Sequence, residues 1–197
     1  IYSSIFAQAN EIYQWGEPYT RNMVSDETDL PTSFDPATGE NVLWSVSLGS
    51  HGYSTPVVAG DKVLIGANNL DPKDPRHQGD RGIVLCLNKS DGSLHWKLVV
   101  PRIIGDRHND WPMLSISSAP TIEDNRVYVI TNRSQLVCLD LNGQYDGNDG
   151  TVKGEKWFMA PEESFSYEVT TKDADIIWIY DLRVDLGMCP HDTPSAS

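Results

Sequence analysis

The segment STPVVAGDKVLIGANN at 54–69 lies without a gap over SAPTIEDNRVYVITNR at 118–133. Pro56 meets Pro120, Asp61 meets Asn125, Lys62 meets Arg126 and Val63 meets Val127. Further on, VLCLN at 84–88 lies over LVCLD at 136–140. The first block repeats at an offset of 64 residues and the second at 52; the difference is the length of one polar stretch, LDPKDPRHQGDR at 70–81. A single insertion reconciling two matched blocks marks true repetition. A repeated unit cannot bury its apolar face alone, so neighbouring copies must cover one another.

Each copy has the same grammar. A short apolar run (56–58; 120–122) leads through a Gly/Asp/Asn turn into an alternating strand (63–66; 127–131), then a third strand (83–87; 136–139). A fourth, aromatic strand is predicted over 94–100 and 156–159. Short runs of β-branched and aromatic residues bounded by turn residues predict antiparallel sheet, and no window sustains helical spacing. Partial copies flank the two. Residues 38–44 match 91–96 and read as the closing strand of an earlier unit; 175–182, DIIWIYDL, reads as the third strand of a later one. Four-stranded units in series predict an all-β fold: a β-propeller of four-stranded antiparallel blades, about two full blades plus parts of two more in an incomplete ring. An unclosed arc exposes sheet edges and faces, so the chain is expected to be part of a larger propeller.

The domain reading follows. Residues 1–9, IYSSIFAQA, end in the small-x-small pattern that leader peptidases cut and read as the remnant of a secretory signal, or as an ordinary apolar strand. Residues 10–34 are a lead-in, and 35–197 the partial propeller. The 28 Asp and Glu outnumber the 15 Lys and Arg, for a net charge of −13. That charge repels phosphate backbones and anionic lipid, which excludes non-specific nucleic-acid binding. No apolar run approaches the ~20 residues of a transmembrane segment. Three cysteines are too few for a disulfide scaffold.

The string GIVLCLNKSDGSLHW at 82–96 resembles the repeat of the pyrroloquinoline-quinone-like β-propellers, through Gly82, Cys86, Leu87, Asn88, Asp91-Gly92 and Trp96. The second copy keeps Cys138, Leu139 and Asp140 but carries an insertion at 142–155 where the compact turn would be. The opening at 25–49 is similar to that of secreted bacterial, planctomycete-type members. The resemblance implies that Trp96 packs between neighbouring sheets. That superfamily holds quinoprotein dehydrogenases, with adjacent cysteines over the quinone and an acidic Ca²⁺ site, and also periplasmic or secreted scaffolds without a cofactor. No two cysteines are adjacent here. The resemblance therefore implies a non-catalytic extracytoplasmic scaffold that binds protein partners in a larger assembly, periplasmic or extracellular in a bacterium, with no resident cofactor. The alternatives are a fragment of a quinone-dependent oxidoreductase, with pyrroloquinoline quinone on the axis, and a structural subunit of an envelope or filament assembly.

Two groups of residues are candidate sites. In DLNGQYDGNDG at 140–150, the side-chain oxygens of Asp140, Asn142, Asp146, Asn148 and Asp149 could wrap a Ca²⁺, or simply form a solvated turn. His51, Tyr53, Trp111 and His191 fall in stretches that would rim the axial funnel, where they could meet a ligand or be satisfied by turn backbone and water. Cys189 and His191 together supply two metal ligands where structural zinc takes four. The insertion 70–81, of mixed sign, reads as a solvated loop.

Overall fold

In the computed structural model, residues 12–24, 26–70, 74, 76–103, 112–113, 116–161 and 166–188 are described. The first repeat folds as β2 (Val57–Ala59), β3 (Lys62–Asn68), β4 (Arg81–Asn88) and β5 (Leu94–Pro101), after a two-residue strand β1 (Ile12–Tyr13). The second folds as β6 (Thr121–Glu123), β7 (Arg126–Ile130), β8 (Gln135–Asp140) and β9 (Ile176–Asp181). Each set is an antiparallel sheet in chain order, and β1 adds to the β6 edge of the second.

The repetition extends to register. Leu64 pairs with Cys86 and Cys86 with Trp96; Tyr128 pairs with Cys138 and Cys138 with Trp178. In both sheets a bulge follows the cysteine, between Cys86 and Leu87 and between Cys138 and Leu139. A small side chain is needed at that slot because an indole sits opposite it on the next strand.

The fourth strand of the second sheet is not 156–159. Those residues lie in the short helix α1 (Glu155–Met159), whose buried residues Glu155 and Met159 sit four apart on one face, while Trp157 is exposed. The strand is β9, so 175–182 closes the second unit rather than forming the third strand of a later one. Ile176, Ile177 and Ile179 flank Trp178 with the β-branched character a strand favours. Residues 38–44 likewise form no strand; they make a turn held by an isolated bridge between Asp35 and Glu40.

The sheets meet face to face through an indole. Trp96 is fully buried, and its Nε1 donates to the Leu141 carbonyl at 2.7 Å, 45 residues on. Its ring lies against Gly143, where an added Cβ would come within 2.6 Å of Cδ1; with φ at +62°, that turn suits glycine. Trp44 repeats the contact one unit earlier: its Nε1 donates to the Lys89 carbonyl at 2.7 Å, again 45 residues on, and its ring covers Gly92. At Gly66 an added Cβ would stand 2.1 Å from the Ile116 carbonyl oxygen, so the approach to β6 crosses the first sheet backbone against backbone. One core runs through both sheets, from Leu64, Val84 and Leu98 to Ile122, Val127 and Leu139.

Candidate functional site

Of the described residues of the insertion at 70–81, Asp74, Arg76, His77, Asp80 and Arg81 are buried or half-buried rather than solvated. His77 is fully buried and Arg81 nearly so, because the insertion folds onto residues 167–173, which precede β9. That stretch runs beside β5: the Lys97 amide donates to the Lys172 carbonyl at 3.0 Å and the Ala174 amide to the Lys97 carbonyl at 2.9 Å. The outer edge of the first sheet is thereby covered.

With β9 as its fourth strand, the second blade's insertion extends from 142 to 175, and charged groups from both insertions and from Lys97 on β5 interlock there. Arg76 donates to Asp74 at 2.6 and 2.8 Å and grips Asp173 through Nη1 and Nη2 at 3.1 and 3.0 Å. Lys97 bonds the same Asp74 at 2.5 Å. Asp173, fully buried, also accepts from the Tyr167 hydroxyl at 2.8 Å and from the Thr170 amide and hydroxyl. His77 Nε2 lies 3.0 Å from the Tyr167 hydroxyl, and the Arg76 guanidinium stacks over the Tyr167 ring. Two carboxylates thus sit between two cations, a balance that makes their burial tolerable.

The cluster forms the polar wall of a cavity of about 410 Å³. Its apolar floor is Leu85, Leu87 and Leu94, on the sheet face opposite Trp96, and the segment around Leu48 closes it. Burial alone would raise the Asp74 carboxyl, but hydrogen bonds from Arg76 and Lys97 hold it well below the usual carboxylate range. Burial pushes His77 down to about 4, with help from Lys97, Arg76 and Arg81 against the pull of Asp74. Burial and the Asp173 charge raise the Tyr167 phenol. His77 is therefore neutral and Tyr167 protonated at pH 7, so His77–Tyr167–Asp173 is a hydrogen-bonded strut and holds no poised general base.

Among the sequence candidates, His51 and Tyr53 are exposed in the stretch leading to β2. Trp111, His191 and Cys189 lie outside the described residues. The calcium candidates are spread through hydrogen bonds. Asp140, buried, accepts from Arg126 at 2.6 Å, from Asn125 at 2.8 Å and from the Asn142 amide at 2.8 Å. Asn142 donates to Asp146 and Asn148 to Glu155, each at 2.8 Å; Asp149 offers its amide to Asp175 at 2.8 Å and is itself exposed. Among the described residues, no three His, Cys, Asp or Glu side chains gather as metal ligands. Nor do the cysteines fit a quinone site of the kind the resemblance implies. Cys86 and Cys138 lie buried in separate sheets, each opposite an indole, and burial pushes their thiols up to about 12 and about 11.

Serial antiparallel sheets built on a four-stranded repeat, stacked face to face through the Trp96 indole, define a β-propeller, here as an incomplete arc. The family model described as outer membrane protein assembly factor BamB, of the pyrroloquinoline-quinone repeat type, matches residues 26–153, and the chain belongs to that family. No curated protein matches the chain.

Proposed function

We propose that this chain is a non-catalytic assembly scaffold, working in the periplasm or outside the cell and binding protein partners without a resident cofactor. The family's description supports the class of function. No helix among the described residues is long and apolar enough to cross a membrane.

The observation that carries the reading is the outward face of the second blade. Trp178 and Tyr180 are 37% and 38% exposed, and Thr121, Tyr128 and Leu136 beside them are half-buried. Their register equivalents in the first blade, Trp96, Leu98, Val57, Leu64 and Val84, are all buried against the second. Where the covered face has Leu64 and Leu98, the open one has Tyr128 and Tyr180. An aromatic body with a hydroxyl tip suits an interface that is partly wet, and tyrosine and tryptophan are enriched in such places.

A photo-reactive phenylalanine analogue at position 180, in the protein in its own envelope, tests this directly. Cross-links from position 180 to a separate polypeptide support the scaffold reading; their absence, with cross-links arising only within this protein's own chain, contradicts it. Adding pyrroloquinoline quinone with Ca²⁺ tests the non-catalytic part. Cofactor absorbance with alcohol- or sugar-dependent dye reduction would overturn it.

A further inference from the structure

A second cleft, of about 390 Å³, opens where the β3–β4 insertion, the end of β5 and the β7–β8 turn converge. Among the described residues that line it are three of the chain's eight arginines, Arg81, Arg102 and Arg133, and one carboxylate, Asp80. That concentration stands out in a chain with a net charge of −13.

The three guanidiniums differ in what they hold. Asp80 accepts from Arg102 at 3.1 Å but also from Asn68 at 2.6 Å and the Met113 amide at 2.7 Å, so its charge is shared among several donors. Arg81, 7% exposed, donates to the backbone carbonyls of Gln78 at 2.8 Å and Met159 at 3.4 Å. Those contacts fix its direction. Arg133, on the β7–β8 turn, is half-buried, and its guanidinium has no hydrogen bond or ion pair among the described residues. A guanidinium that lines a cleft with no acceptor among the described residues has all its donors available to a bound carboxylate.

We propose that this cleft binds the carboxylate of a short acidic peptide segment on a protein partner, with Arg133 as the principal contact and Arg81 and Arg102 setting the field around it. Pro101, Ile103 and Pro161 give the cleft an apolar side, against which the carbon stem of a Glu or Asp lies while the head group meets the guanidiniums. A bare inorganic anion has no use for that side. The overall negative charge repels long polyanions, which leaves a short segment as the ligand. None of the blade-face residues around Trp178 takes part, so this site and that face can fail separately.

The test is a titration of the whole chain at low salt, followed by NMR, with acetylated tri-glutamate, acetylated tri-glutamine and inorganic phosphate. Saturable binding of tri-glutamate with none of tri-glutamine is expected. Arg133→Gln should weaken tri-glutamate binding by about tenfold or more, the loss typical of a charge-assisted hydrogen bond. Arg133→Lys should fall between, since it keeps the charge and loses the fork. Lys89→Gln, an exposed charge on a different turn, should change nothing. Urea midpoints matching the wild type establish that the variants fold. Absence of saturable tri-glutamate binding overturns the proposal, as does equal weakening by Lys89→Gln. Phosphate competing as tightly as the peptide overturns the peptide assignment.

Discussion

The two blades share a register but stand in different surroundings. In the first, Trp96 is fully buried, its Nε1 bonded to Leu141 and its ring against Gly143. In the second, Trp178 occupies the same position opposite a cysteine and is 37% exposed, beside Tyr128 at a ring distance of 6.1 Å. The same register position thus holds a buried indole in one sheet and a partly exposed one in the other. Trp44 and Trp96 each donate to a carbonyl 45 residues on and lie against a glycine of the same turn. The insertions differ in parallel: the first blade's falls between its second and third strands, the second's between its third and fourth, and the two interlock through Arg76 and Asp173.

The largest expected effect separates the tryptophans. Trp96→Ala should lower stability by ~3–5 kcal/mol, as for other buried Trp truncations, and Trp178→Ala by ~1 kcal/mol or less, read from urea midpoints at unchanged slope. Equal losses would erase the distinction between core and surface. Next comes the bridge between the insertions. Asp173→Asn leaves Arg76 and Tyr167 short of an acceptor and should cost about 2–4 kcal/mol, whereas an exposed carboxylate such as Asp26 should cost almost nothing when changed to Asn.

Acid should also act through the first blade's insertion. His77 titrates at about 4 when folded, against about 6.5 unfolded, so between those values the unfolded chain binds the extra proton. Its contribution is fully present above pH 6.5 and is lost as pH falls toward 4, at most about 3 kcal/mol. Urea midpoints from pH 7 to 4.5 should fall, and His77→Gln should flatten that slope; an unchanged slope would remove His77 from the account. Smallest is Gly143→Ala, about 1–3 kcal/mol, from an added methyl against the Trp96 ring at a positive φ. Gly92→Ala makes the same test against Trp44, which is only half-buried, and should cost less.

Much of this architecture was legible in the residues. The Cys-Leu-Asx run, the turn glycine at 92 and the aromatic closing strand of the first unit are local signals, and they placed β2 to β8 within a residue or two of their observed ends. The fourth strand of the second unit was misplaced because Trp157 in KWFM imitates Trp96 in a strand. Glu155, Lys156 and Met159 are helix formers, and the isoleucines around Trp178 are the better strand signal. The strand expected at 38–44 is not formed, yet Trp44 still makes its turn contact. The polar cluster was out of reach, since Arg76 and Asp173 stand 97 residues apart and nothing local predicts that two insertions of different blades will meet. Of the rim candidates, exposure could be read for His51 and Tyr53 alone.

The central claim is that successive sheets are joined by a docked indole. Hydrogen exchange at the indole Nε1 positions, read by NMR on the 197-residue chain, tests it most directly. Trp96 should be protected up to the free energy of global unfolding, Trp44 less, and Trp178 should exchange close to the rate of a free indole. Rapid exchange at Trp96, or protection at Trp178 equal to it, would contradict the account.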